Sequence, residues 1–392
     1  MTVLSFIGGA VGVCSIVLWG LFWVKAWFNV GKFRCVQVES VGFPEPNQWP
    51  TLCVIIAACN EASRIEAAAR SLLNQDYPKL ELVFVDDRSE DETGEIIDRL
   101  AAADERLTAI HIDELPDGWL GKVHALHIAM EQTDSEWVLF TDADVCFEEG
   151  ALRQIISDGV AHRADHLAGL PEIQPAGPLL DVAISTFFMS SMFFVTPSRV
   201  EDPNDSMAVG VGACNLVRRT RFEETPGFTW LKMETADDLG LGLMMKRWGG
   251  HAQVVFAQAQ LSLDWYSSIG EMVRGLEKNS PGLTHYQCWR AIGMVAVFTG
   301  CLVAPLGLLW VPQLVAIVLL LLLSLVAVVS SGALARRTCF SRISFMLAPI
   351  GFAILAFIFF RACLLLWLRG GVVWRGTKYD LRSLRQGQRI EF

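Results

Sequence analysis

The sequence predicts an α/β domain on a mainly parallel sheet, flanked by membrane-spanning helices. Three observations predict it. Of the 392 residues, 52% are hydrophobic, and the excess over an ordinary soluble domain lies in charge-free runs near the two ends. Between those runs, short apolar segments alternate with amphipathic ones, the order that builds a parallel sheet covered on both faces. Carboxylate pairs recur where the apolar segments stop, which is where such sheets bind ligands.

The membrane elements follow from charge. Residues 3–24 carry no charged side chain, residues 291–334 carry none, and residues 345–368 carry only Arg361. At roughly 20 apolar residues per crossing, the middle run holds two spans and the others one each. The first run lacks a basic leader and its apolar core is too long for a signal peptide. Residues 1–27 are therefore expected to be a retained anchor. Lys25, Lys32 and Arg34 follow it and put that end in the cytoplasm. The later segments occupy residues 288–368. Three spans there would export the basic tail, residues 369–392, against the same charge rule, so one segment is expected to be re-entrant or interfacial. Interfacial helices are also expected at about residues 179–195, an apolar stretch broken by Asp181, Ser185, Thr186, Ser190 and Ser191, and at about 267–280. Trp23, Trp27, Trp310, Trp367 and Trp374 fit interface belts.

Between the anchor and the later spans lies a domain over residues 44–286. Strands are expected at 52–57, 80–85 and 108–112 and from Trp137 onward, with helices at 61–73, 93–103 and 124–132. The formal net charge of −10 comes from this middle part, which argues against a nucleic-acid partner. The tail is basic, with Arg369, Arg375, Lys378, Arg382, Arg385 and Arg389, and suits an anionic lipid surface. The ten cysteines form no C-x-x-C pair and read as small apolar residues of a reduced compartment. The seven histidines show no metal spacing.

Four acidic or basic motifs carry chemistry. The strand from Trp137 ends in Asp142-Ala143-Asp144, two carboxylates one residue apart that suit Mg²⁺ or Mn²⁺ with room left for phosphates. After the second strand come Asp86 and Asp87, placed to accept from a ribose or a base N–H. Asp91 or Ser89 behind them reads as a helix cap. Gly118-Trp119-Leu120-Gly121-Lys122 opens a helix. A lysine there opposes the helix dipole unless an anion sits beside it. Asp237 and Asp238 precede another helix, as dipole-complementing acids or as a general base held near like charge.

In order, Ala58-Cys59-Asn60-Glu61, Asp86-Asp87-Arg88-Ser89, Gly121-Lys122, Asp142-Ala143-Asp144 and Asp237-Asp238-Leu239-Gly240 resemble the membrane-anchored, inverting family 2 glycosyltransferases. The likeness spans about residues 50–280. It implies the GT-A fold, a Rossmann-like nucleotide-sugar-binding domain flanked by transmembrane helices. It also implies a nucleotide-sugar donor, a UDP-hexose, and a divalent cation. Ala57, Asn60, Glu61, Asp87, Lys122, Asp142 and Arg274 would hold the donor, with Asp87 at its uridine or ribose end. Asp142 and Asp144 would bind the metal, and Asp238 would deprotonate the acceptor hydroxyl.

Gly118-Trp119-Leu120-Gly121-Lys122 and Val373-Trp374-Arg375-Gly376-Thr377-Lys378-Tyr379 are similar to hopanoid-associated, carotenoid-type and ceramide glucosyltransferase-like enzymes. The acceptor this implies is a membrane lipid, met at the cytoplasmic face of a bacterial inner membrane. Two departures stand out. Ala57 occupies a position where the family commonly has proline. Glu271-Met272-Val273-Arg274-Gly275 replaces the Gln-x-x-Arg-Trp of processive synthases, so the tryptophan that would stack on an acceptor sugar is missing. That favours a single transfer over polymer extension. Arg274, a helical turn from Lys278, could instead anchor an interfacial helix in headgroups. Residues 210–215 would line the acceptor side, or serve a glycine turn. A processive synthase and a silent nucleotide-sugar-binding scaffold are the alternatives. A dinucleotide dehydrogenase is set aside, because no Gly-x-Gly-x-x-Gly follows the first strand.

Overall fold

The computed structural model describes residues 3–37 and 48–391, so the expected domain start at residue 44 lies outside the described residues. The chain forms two compact units. One is helical and comprises the residues up to Lys32, Pro175–Thr196 and Tyr266–Arg369. The other is α/β and comprises Phe33–Gln174, Pro197–Trp265 and the residues from Gly370 onward.

The α/β unit is built on strands β1 (Leu52–Ala58), β2 (Leu80–Asp87), β3 (Leu107–Ile112), β4 (Trp137–Thr141), β5 (Val145–Phe147), β6 (His166–Leu170), β7 (Glu172–Ile173), β8 (Asn215–Arg218), β9 (Ala252–Phe256) and β10 (Leu261–Leu263). Among the described residues, seven of them form one sheet in the order β3-β2-β1-β4-β8-β6-β9. The pairs from β3 to β4 are parallel. Strand β8 runs antiparallel to both its neighbours. The central strand, Leu-Cys-Val-Ile-Ile-Ala-Ala, is apolar on both faces, as a strand covered by helices on each side must be. Helices Ile65–Leu73 and Thr93–Ala103 turn Ala68, Ala69, Leu72, Ile97 and Leu100 inward. Val54, Ile56, Leu82, Phe84 and Leu139 are fully buried between the layers, each contributing about 1.5–3 kcal/mol.

This packing sets the heights of the strand ends. Ala58 lies opposite Asp86, and Ile56 opposite Thr141. Three neighbouring strands therefore release their acidic loops side by side. The helix expected from residue 61 starts at Ile65. Residues 60–62 instead give their amides to the loop after β2: Asn60 N–H donates to Ser89 Oγ, Glu61 N–H to Thr93 Oγ1 and Ala62 N–H to Asp91 Oδ2, at 3.0, 2.8 and 3.1 Å. Asp91 also accepts from the Thr93 amide at the helix start at 3.1 Å, so it caps as read from sequence while both it and Ser89 clamp the two loops together.

The tail folds into this same unit. Strands β11 (Gly371–Trp374) and β12 (Thr377–Asp380) make a hairpin, and helix Leu381–Gly387 follows, capped by Asp380. Arg389 donates from its Nε to the Trp230 carbonyl at 2.9 Å and from its amide to Glu234 at 2.7 Å. Two of the tail's cations, Arg375 and Arg389, are therefore turned onto the domain rather than left free for lipid.

In the helical unit, four helices among the described residues are long and apolar enough to cross a membrane: Val3–Val30, Cys288–Trp310, Gln313–Ala335 and Ala348–Arg369. Pro178–Phe194 is a shorter apolar helix. Small residues let backbones meet. A Cβ on Gly12 would lie 2.5 Å from the Gly307 carbonyl carbon, the close approach that membrane helices use where water provides no apolar drive. Arg361, the lone charge of the last run, donates to Glu277 at 2.5 Å, and Arg369 donates to the same carboxylate at 2.6 Å. Helix Ile269–Gly275 carries Arg274, and Ser268 caps its start.

Candidate active site

The carboxyl end of β4 and the start of helix Asp237–Arg247 converge on one cation, beside the ends of β1 and β2. Lys122, in the first turn of helix Gly121–Met130, sits 2.7 Å from Asp142 Oδ1 and 3.1 Å from Asp237 Oδ2. Burial alone would lower its pKa. The charges of Asp142, Asp237 and Asp238 outweigh that and raise it well above the usual lysine value.

The loop before β8 joins the acids. Gly212 N–H donates to Asp238 Oδ2 at 3.2 Å, while its carbonyl accepts from the Asp142 amide at 3.0 Å. A Cβ there would fall 2.4 Å from Asp142 Oδ2, and one on Gly210 would fall 1.7 Å from the Asp238 carbonyl. Gly210 is thus required by its close approach to backbone, and a side chain at Gly212 would displace the Asp142 carboxylate. Asn215 then fixes the backbone from below. Its Nδ2 donates to the Asp238 carbonyl at 3.0 Å, and its Oδ1 lies 2.6 Å from His166 Nε2. His166 is fully buried and neutral, its pKa pushed down to about 4 by that burial.

Two carboxyls depart from ordinary acid behaviour. Burial raises Asp144 to about 7, reinforced by Asp142 and Glu61 and opposed by Arg64, whose Nη1 is 3.1 Å away. Burial and the neighbouring Asp237 raise Asp238 to about 6 against the pull of Lys122. Glu61 is raised by burial, with Arg375 and Arg64 opposing. Asp87 is buried and bound by the adjacent Arg88 through Nε at 2.7 Å and Nη2 at 3.1 Å.

Of the sequence-predicted residues, Asn60, Glu61, Asp87, Lys122, Asp142, Asp144 and Asp238 all lie on these adjoining strand and helix ends. Ala57 is a half-buried β1 residue paired with Val85 and offers no polar side chain. Arg274 belongs to the helical unit. Sequence reasoning gave no role to Arg64, Arg88, Asn215 or Tyr379. Arg88 lay in the Asp86–Ser89 motif, Asn215 in the 210–215 loop and Tyr379 in the Val373–Tyr379 likeness, whereas Arg64 had no signal.

Residues 53–225 match the family model described as Glycosyl transferase family 2. The chain carries a family 2 glycosyltransferase domain. Its relatives include the 4,4'-diaponeurosporenoate glycosyltransferase of Staphylococcus haemolyticus, 33% identical over 32% of each chain. Another is the GalNAc(5)-diNAcBac-PP-undecaprenol beta-1,3-glucosyltransferase of Campylobacter jejuni, 30% identical over 29% of this chain and 37% of the relative. A third is the beta-monoglucosyldiacylglycerol synthase of Trichormus variabilis, 27% identical over 41% of this chain and 34% of the relative. The chain thus spans about a third of the length of these curated relatives. A mannosyltransferase from Pyrobaculum calidifontis, solved with GDP-Man and Mn²⁺, is 18% identical, with TM-score 0.57 over 92% of this chain and 99% of that one. The shared fold is the GT-A fold expected from the motifs. The matched family 2 region contains Asp87, Lys122, Asp142 and Asp144 and stops before Asp238.

Proposed function

We propose that this chain moves a single sugar from a nucleotide-sugar donor, a UDP-hexose, to the hydroxyl of a membrane lipid with inversion. The observation that carries the reading is Gly212, whose two backbone groups hold Asp142 and Asp238 on either side of it. A phosphate-side carboxylate and a basic carboxyl are thereby kept in one fixed geometry.

The residues fit a divalent cation. No cluster of three metal-binding side chains occurs among the described residues. Two carboxylates at a strand end are the donor set of Mg²⁺ or Mn²⁺ sites that take their other oxygens from phosphates and water. Asp144 is raised by burial and by the neighbouring Asp142 and Glu61, so carboxylates crowd this spot. Asp142 and Asp144 would hold the ion, and it would neutralise the departing diphosphate. Asp87 would accept from the uridine or ribose, with Lys122, Asn60 and Glu61 at the donor's edge. Asp238 takes the proton of the acceptor hydroxyl, and its raised pKa suits that task near neutrality. Attack from the face opposite the nucleotide inverts the anomeric centre, and one base suffices.

A lipid acceptor is supported by the four apolar helices and by relatives whose names refer to undecaprenol and glucosyldiacylglycerol. Single transfer is supported at Gly275, where a Cβ would lie 2.6 Å from the Tyr266 ring. The Tyr266 ring occupies the space that a side chain at residue 275 would take.

Connectivity and charge support a cytoplasmic site, at what we take to be a bacterial inner membrane. Pro178–Phe194 leaves and re-enters the α/β unit, so it does not cross the bilayer. The tail also joins that unit, so an even number of the three later helices crosses. Arg336, Arg337 and Arg342 follow Gln313–Ala335 and hold its end inside. Ala348–Arg369, with Arg361 paired to Glu277, is then the segment that enters without crossing.

The test is sugar transfer in washed membranes. Asp144→Ala and Asp238→Ala should abolish labelled lipid and UDP release while inserting normally. Near-normal turnover of either variant at saturating donor would refute that residue's role.

A further inference from the structure

The carboxy-terminal hairpin meets the site at three places. Its turn, Arg375-Gly376, has φ of +47° and +77°, the type I′ geometry that two-residue hairpins favour. Asparagine or glycine is the ordinary first residue of such a turn, because the left-handed region crowds other L side chains. An arginine kept there is an outlier that calls for a functional reason. Its guanidinium donates to the Glu61 carboxylate and lies 3.4 Å from the Asn60 carbonyl. Arg88, which clamps Asp87, donates to Thr377 Oγ1 at 3.4 Å. Buried Tyr379 accepts from the Gly121 amide through Oη at 3.2 Å, filling the first free N–H of the helix that carries Lys122.

The loops after β1 and β2 and the Lys122 helix are thus each tied to one hairpin from the far end of the chain. We propose that this hairpin is a working part of the donor site, with Arg375 and Tyr379 as positioning residues that hold Glu61 and the Gly121-Lys122 turn ready for a nucleoside diphosphate. The proposal rests on the donor-site reading above and extends it to residues outside the matched family region.

Arg375→Asn separates a positioning role from a structural one. Asparagine suits the turn, so the hairpin is retained while the guanidinium is lost. The full chain in nanodiscs would be titrated with UDP and with GDP, each with Mn²⁺, by calorimetry, and its thermal midpoint recorded. Arg375→Asn should bind the favoured nucleotide about tenfold more weakly, the scale of a charge-assisted hydrogen bond, at an equal or higher midpoint. Tyr379→Phe should raise the donor KM more than it lowers kcat. Binding within twofold of wild type in Arg375→Asn, alongside loss in Asp144→Asn, would overturn the hairpin role alone. A wild-type protein that binds neither nucleotide would overturn the donor-site reading and this proposal together.

Discussion

Replacing Gly212 with alanine tests the carboxylate arrangement without touching a charged group. The backbone there is not left-handed, so alanine strains no dihedral. Its Cβ, however, would stand 2.4 Å from Asp142 Oδ2 and 3.1 Å from Asp142 Cγ, where ordinary contact begins at 3.4 Å. The carboxylate must retreat by about 1 Å, a large fraction of a van der Waals contact. It would give up its 2.7 Å pairing with Lys122 and its aim at the donor. A displacement of that size costs about 10²-fold in rate when reacting groups are pre-aligned, while the overpacking itself costs about 1–3 kcal/mol of stability. The assay is turnover at saturating donor, with the thermal midpoint as a check on folding. Gly300→Ala is the control, because nothing lies within 4 Å of its added methyl, and it should behave as wild type. A folded Gly212→Ala protein that keeps more than about a third of wild-type turnover would refute the geometry argued here.

Three other predictions concern charge and topology. In the proposed role Asp238 acts deprotonated, and its pKa is raised to about 6. Turnover should therefore plateau above that pH and fall about tenfold per unit below it; a flat profile from pH 5 to 8 would contradict the role. In metal-free protein, Asp144 is raised from 3.8 to about 7, so between those values the folded state holds a proton that the unfolded state has released. Its contribution to stability must fall as pH rises through that window. Asp144→Asn should thus gain in melting midpoint relative to wild type between pH 5 and 7.5, and a pH-independent difference would count against the burial. Single cysteines at residues 338 and 388 should both be labelled only from the cytoplasmic side, whereas external labelling of residue 388 would defeat the even crossing count.

Much of the frame was legible because it is local. The run 93–103 shows helical periodicity and is a helix over those residues, and the all-apolar strand β1 reads directly as buried. The acids at the ends of β2 and β4 were legible for the same reason, since an apolar run that stops at a carboxylate marks a strand end. Partnerships were not legible. Arg64 reaches Asp144 and Arg375 reaches Glu61 across sequence separations of 80 and 314 residues, and no periodicity encodes such pairings. Lys122 at its helix start implied an anion beside it, but not which one. The three carboxylates that make its position favourable come from two other elements. The tail's basic composition suggested lipid, whereas the extended β11 and β12, joined by a left-handed turn, fold it onto the domain.

The most direct test of the account is transfer of radiolabelled hexose from UDP-hexoses to lipid by the full chain reconstituted in vesicles with Mn²⁺. The account predicts label in the chloroform-soluble fraction, one sugar per acceptor, lost with chelator and in Asp238→Asn. Label appearing only in a water-soluble polymer, or transfer undiminished in Asp238→Asn, would contradict it.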